Sequence, residues 1–210
     1  MPPHLVSYVE RKDVEPIREY LSTHNLGINK YRVKVGEGVS QCFGIVSKRS
    51  QPPDLSRQSW LHPELHNMLM AFGEKYVKSF ISFTSIQVNV NYPCNPHKDL
   101  GNIGNSYIVA FGCYGGGELC IEDFNYNIYL RGLIFNGSEH LHWTRQWSGE
   151  RNSIVFSTLK PRFPLLRSLN DYTAVIVDGV WKIQYMEEGV VKYLWKGNGL
   201  PHPRKGLIKS

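Results

Sequence analysis

Phe80-Ile81-Ser82-Phe83-Thr84-Ser85-Ile86-Gln87-Val88-Asn89-Val90-Asn91, followed after five intervening residues by His97-Lys98-Asp99, is the stretch on which the fold turns. From Phe80 to Asn91 apolar and polar residues alternate, which predicts a β-strand carrying Ile86, Val88 and Val90 on one face. On an extended backbone His97 and Asp99 project to the same side, roughly 6.5–7 Å apart. An imidazole and a carboxylate so placed can converge on one metal ion. A second histidine from a distant strand would complete a 2-His-1-carboxylate triad, which leaves positions open for a chelating co-substrate and dioxygen.

C-terminal to this stretch, the sequence offers that histidine twice. A Gly/Asn-rich loop is expected over 100–105, then a strand from Ser106 to Phe111. Gly115-Gly116-Gly117 predicts a tight turn and not a phosphate cradle, because no helix follows it. The segment from Gly132 to His142 then brings His140 and His142, two apart and able to face the same interior. Arg151 stands nine residues after His142, with Ser153 on the same face. Ser148-Gly149 is the expected turn of an antiparallel hairpin that returns Arg151 to the histidine. A guanidinium there can grip a carboxylate with two parallel hydrogen bonds, and the Ser153 hydroxyl can donate to the same group. Asn89, on the strand entering the HxD, and Tyr107 are further polar groups able to bind a co-substrate.

N-terminal to the stretch, Asp13 reads as the N-cap of a short helix with Pro16 in its first turn, ending near Gly27. A second helix starts at His62-Pro63-Glu64 and carries Leu65, Leu69, Phe72 and Tyr76 on one stripe. Two helices followed by short strands predict a mostly β chain with flanking helices, a double-stranded β-helix of jelly-roll type. Three further strand-like runs, 172–177, 180–186 and 190–195, are joined by Asp178-Gly179 and Glu187-Glu188-Gly189 and predict a β-meander. The expected division is a core of helices plus double-stranded β-helix over 1–165 and an appended meander with a basic, irregular tail over 166–210, packed on the same domain.

Composition limits the classes. A hydrophobic content of 41% and an aromatic content of 12% describe a globular chain, and no run reaches the roughly 20 apolar residues of a membrane span. Cys42, Cys94, Cys113 and Cys120 have neither paired spacing nor scaffold density, and the N-terminus lacks a basic start followed by an apolar run. Both point to a cytoplasmic or nuclear protein with reduced thiols. The net charge is +6, and the stretch from Lys160 onward, with nine Lys/Arg against four Asp/Glu, carries five of those charges. A polyanion such as DNA or RNA would be felt there first.

Taken together, His97-Lys98-Asp99, 104–112 (GNSYIVAFG), 116–119 (GGEL), 134–137 (IFNG), His142-Trp143-Thr144 and 149–153 (GERNS) resemble the 2-oxoglutarate/Fe(II)-dependent dioxygenase superfamily. Order and spacing resemble most its TET/JBP-like branch with viral and protist relatives. The resemblance covers roughly Gly38 to Leu159. It selects His142 over His140 and implies metal ligation by His97, Asp99 and His142. It also implies that Arg151 and Ser153 bind the far carboxylate of 2-oxoglutarate. Fe(II), 2-oxoglutarate and O2 are the implied cofactors, with ascorbate as accessory reductant. The implied substrate is a nucleobase methyl group, in 5-methylcytosine or thymine. Lys48, Arg49 and Arg57 would then contact phosphates, and Trp60, Trp143 and Trp147 would stack on a base. The chain departs from the pattern at Arg145-Gln146-Trp147, where many members carry proline. The other readings are an oxygenase of a protein side chain or small molecule, a cupin-like protein holding zinc through His97, Asp99, His140 and His142, and a non-catalytic nucleic-acid module.

Overall fold

The computed structural model describes residues 2–27, 38–46, 54–160, 173–177, 180–187 and 189–195. In chain order they form β1 (His4–Tyr8), α1 (Arg11–Thr23), β2 (Val39–Val46), β3 (Asp54–Leu55), α2 (Arg57–Leu61), α3 (Pro63–Tyr76), β4 (Ser85–Val90), β5 (Asn102–Gly116), β6 (Leu119–Ile121), β7 (Phe124–Tyr126), β8 (Arg131–Phe135), β9 (His142–Thr144), β10 (Trp147–Leu159), β11 (Thr173–Val177), β12 (Val180–Glu187) and β13 (Val190–Trp195). A seven-stranded sheet in the order β1-β8-β5-β10-β4-β2-β3 faces a three-stranded sheet β7-β6-β9, and β11-β12-β13 form a third sheet. Among the described residues no helix is long and apolar enough to cross a membrane, and no disulfide forms.

The register of the large sheet sorts its side chains into alternating rows. Phe43, Ile86, Phe156, Tyr107 and Ile134 are paired across five strands and point to the helices. There they join Ile17 of α1 and Leu65, Leu69, Phe72 and Tyr76 of α3 in the main core. Burial of a side chain of this size contributes about 1.5–3 kcal/mol. The neighbouring row, Cys42, Gln87, Val155, Ile108 and Leu133, points the other way, toward the small sheet. Ile108 and Leu133 pack there with Leu119, Ile121 and Phe135 in a second core. The large sheet is therefore apolar on both faces around its centre, and the site lies on the face away from the helices.

Several local expectations are corrected. Asp13 is not an N-cap: α1 begins at Arg11 after Glu10 and ends at Thr23. The Asp13 carboxylate accepts hydrogen bonds from Lys75 Nζ and the Tyr76 hydroxyl of α3, so it ties the two helices together. A short helix, α2, precedes α3 and holds Arg57; it is N-capped by Ser56, whose hydroxyl accepts from Ser59 N. Phe80–Phe83 are not strand, and β5 already begins at Asn102 within the expected loop. Ser148-Gly149 is not a turn. Both lie inside β10, opposite Gly115 and Tyr114. A Cβ on Gly149 would sit 2.3 Å from the Cys113 carbonyl oxygen, so its glycine serves close strand approach. The chain turns earlier, between β9 and β10, and in doing so crosses from the small sheet to the large one. Gly116 and Gly117, with φ of 80° and 71°, make the turn between β5 and β6. Lys48, Arg49 and the expected tail over 196–210 lie outside the described residues.

Candidate functional site

His97 reaches the small sheet through one isolated β-bridge. Its N–H donates to the His142 carbonyl and its carbonyl accepts from His142 N–H, both at 3.0 Å. Asp99 N–H donates to Gly137 O at 2.8 Å, which fixes the carboxylate beside both imidazoles. His97 Nε2 lies 3.5 Å from Asp99 Oδ1, and His142 Nε2 lies 3.7 Å from Asp99 Oδ2. One donor atom from each of the three residues falls within 4.8 Å of the others, a set able to hold a metal ion.

The imidazoles are oriented by the backbone. His97 Nδ1 lies 2.7 Å from Asn95 O and His142 Nδ1 lies 3.0 Å from His140 O. With each Nδ1–H donating to a carbonyl, each Nε2 presents its lone pair toward Asp99, the tautomer a metal ligand requires. The Asp99 carboxylate, and after it the Cys94 thiol, raise the pKa of His97 to about 10, whereas burial lowers that of His142. Gly137 is packed against the group: a Cβ there would lie 3.1 Å from Asp99 Oδ2 and 3.3 Å from His142 Cε1.

His140 is a neighbour of the site and is not in the donor set. Its side chain turns toward Glu122, with Nδ1 3.7 Å from Oε1. Glu122 also clasps the next residue, accepting from Leu141 N–H through Oε1 and donating its own N–H to Leu141 O. The segment that delivers His142 is thus held by the turn between β6 and β7.

Between the sheets a cavity of about 390 Å³ opens beside the three residues. Asn89 and Ser153 face each other in its floor, with Asn89 Nδ2 donating to Ser153 Oγ at 3.2 Å. Arg151 lies two residues before Ser153 on β10 and is 3% exposed. Its Nε donates to Gly117 O, Tyr114 and Trp147 lie within 5.6 Å of the guanidinium carbon, and its Nη2 is buried with no hydrogen-bond partner among the described residues. Burial lowers its pKa. A buried cation with an unmet N–H is costly unless an anion or other acceptor meets it.

Tyr107 is not at the site. It belongs to the row facing the helices, where its hydroxyl is 2.8 Å from Ser7 Oγ and burial pushes its pKa up to about 12. Of the three tryptophans, Trp143 lines the cavity, Trp147 flanks Arg151, and Trp60 lies on α2. Sequence reasoning missed Cys94, Gln87, Gly117 and Gly137. Gln87 carried a signal: it is two residues before Asn89 on an alternating strand, so it shares that face. The glycines carried none, since their role is the space they leave.

No protein-family model matches the chain, and no curated protein is significantly similar to it in sequence. Its fold is similar to that of NgTET1, solved in complex with 5mC DNA, with 18% identity, 75% of this chain and 72% of that chain covered, and a TM-score of 0.53. A 2OG-Fe(II) oxygenase-family protein from Burkholderia pseudomallei gives 15% identity over 74% and 82% of the two chains, with a TM-score of 0.49. A prolyl-4-hydroxylase from Pseudomonas putida gives 11% identity over 76% and 93%, with a TM-score of 0.44. The likeness to NgTET1 is one of fold, a mostly β chain with a double-stranded β-helix core.

Proposed function

We propose that this chain is an Fe(II)- and 2-oxoglutarate-dependent dioxygenase that hydroxylates a C–H bond, its preferred substrate being a pyrimidine methyl group in DNA or RNA. The observation that carries the class is the pairing of two features on facing sheets. One is a His-Asp-His donor set; the other is a buried arginine with an unmet N–H two residues from a cavity-lining serine. A zinc-holding cupin-like protein has use for the first and none for the second. The residues fit the proposed group chemically: two imidazoles and one carboxylate suit Fe(II) and leave coordination positions open.

In this reading His97, Asp99 and His142 hold the iron. Bound there with 2-oxoglutarate and O2, iron would supply oxidative decarboxylation to succinate and CO2 coupled to hydroxylation, with ascorbate maintaining the reduced metal. The protein's part is binding, orientation and exclusion of water. Arg151 supplies the positive charge for the far carboxylate, and Ser153 and Asn89 supply hydrogen bonds at the cavity floor. Ile108, Leu119, Phe135 and Val155 make the apolar wall against which a reactive centre is shielded.

The substrate rests on other support. NgTET1 was solved with 5mC DNA, Trp143 offers an aromatic face in the cavity, and Lys98 is an exposed cation at its lining. Asp99 is the one carboxylate among the lining residues, so a polyanion meets little repulsion there. A paired base would have to be turned out of the stack to enter. Such a substrate places the protein in the cytoplasm or nucleus.

Incubation with Fe(II), ascorbate, 2-oxoglutarate and methylated or unmodified DNA and RNA, followed by mass spectrometry of the nucleosides, tests the assignment. A hydroxymethyl pyrimidine is expected. Succinate formation without any oxidised base would move the substrate to a protein side chain or small molecule. Absence of 2-oxoglutarate turnover under all conditions would count against the class.

A further inference from the structure

We propose that Ser40 is a positioning residue for the co-substrate: acting through Asn89, it sets the Ser153 hydroxyl to donate to a carboxylate in the cavity. The inference rests on the assignment of Arg151 and Ser153 to a carboxylate.

Three adjacent strands place the residues in one row. Ser40 of β2 pairs with Asn89 of β4, and Asn89 pairs with Ser153 of β10. Their side chains form a continuous chain of hydrogen bonds. Gln87 Nε2 donates to Ser40 Oγ at 2.9 Å, Ser40 Oγ donates to Asn89 Oδ1 at 2.7 Å, and Asn89 Nδ2 donates to Ser153 Oγ at 3.2 Å. Ser40 is 1% exposed and is not a lining residue of the cavity, whereas Gln87, Asn89 and Ser153 are.

A chain of amides and hydroxyls can run in either of two directions, and the direction decides what the cavity sees. In the direction found here the Ser153 oxygen has accepted from Asn89, so its own O–H remains to donate outward. In the opposite direction Ser153 would donate to Asn89 and present lone pairs to the cavity, which an anion avoids. Asn89 alone has no strong preference between its two amide orientations. The Ser40 hydroxyl, already accepting from Gln87, fixes Asn89 with Oδ1 inward to Ser40 and Nδ2 toward Ser153. Removing that hydroxyl releases the amide to turn and to take the Ser153 proton for itself.

The test uses two 2-oxo acids that chelate a metal alike and differ at the far end. 2-Oxoglutarate has a second carboxylate and pyruvate has none. Both are titrated anaerobically into the Fe(II)-loaded chain. Ser40→Ala is expected to weaken 2-oxoglutarate about tenfold, the scale of one hydrogen bond to a charged group. Pyruvate and Fe(II) affinities should stay unchanged, and Ser40→Thr, which keeps the hydroxyl, should restore binding. In a Ser153→Ala background the Ser40→Ala loss should vanish. Should the buried substitution prevent folding, Gln87→Met supplies the same acid-selective comparison. Equal losses for the two acids, or an undiminished loss without Ser153, would overturn the proposal. Failure of the unaltered chain to bind 2-oxoglutarate would overturn the clamp itself, whereas tight binding indifferent to Ser40 would overturn only this inference.

Discussion

Gly137 and Gly117 separate the two halves of the site at the scale of a single methyl group. A Cβ at Gly137 meets Asp99 Oδ2 at 3.1 Å and His142 Cε1 at 3.3 Å, so Gly137→Ala must push two donors aside. Gly117, at φ 71°, lies against Arg151 instead: a Cβ there would be 2.9 Å from its Cδ and Nε. The first substitution is expected to weaken Fe(II) binding about tenfold, the scale seen when groups that orient metal ligands are disturbed. The second should leave Fe(II) binding intact and weaken 2-oxoglutarate by a similar factor, since it displaces the cation proposed to meet the carboxylate. Anaerobic titrations of metal and co-substrate distinguish the two. If either substitution disturbs both ligands equally, the division of the site into metal and carboxylate halves is wrong.

Between elements, the joint of β2, α2 and α3 is polar and fully buried. Gly44 N–H donates to Ser59 Oγ at 2.9 Å, and that hydroxyl lies 3.0 Å from Nδ1 of His66, which stacks near Phe43. Burial lowers the His66 pKa to about 3. Its depressed value means the stabilisation is present above the unfolded pKa near 6.5 and is lost as pH falls toward 3. Between pH 6.5 and 5 the loss amounts to about 2 kcal/mol. Urea unfolding should show that decline in the native chain, and His66→Gln should flatten it. Parallel slopes for the two proteins would contradict the assignment. The same scale shows what the sequence could and could not convey. The alternation of Ile86, Val88 and Val90 fixed the faces of β4, and the Leu65–Tyr76 stripe fixed the buried side of α3. Tyr107 was illegible because Ser106–Phe111 is apolar on both faces, as strands covered on both sides are, so alternation did not say which side looks into the cavity. A spacing of nine residues from His142 to Arg151 suits a hairpin and a sheet-to-sheet crossing equally well. The crossing is set by the pairing of β9 with β6, a contact between residues 21 to 25 apart in sequence.

For the whole molecule, two cores on opposite faces of one sheet explain why the site is where it is. The helix side is closed by α1 and α3, and the other face opens to a cavity walled by the small sheet. That His97 and Asp99 come together could be read from their spacing and the strand before them, because two-residue periodicity is local. The position of Arg151 Nη2, without a hydrogen-bond partner among the described residues, and the row from Ser40 to Ser153 could not, because they depend on which strands become neighbours. The central claim is that the donor set and Arg151 act on one bound 2-oxoglutarate. Its most direct test is the anaerobic absorption spectrum of the Fe(II)-loaded chain on addition of 2-oxoglutarate. A visible metal-to-ligand charge-transfer band is expected, saturating at far lower 2-oxoglutarate in the native chain than in Arg151→Ala and absent in His97→Ala. No band in the native chain, or a saturation point indifferent to Arg151, would contradict the account.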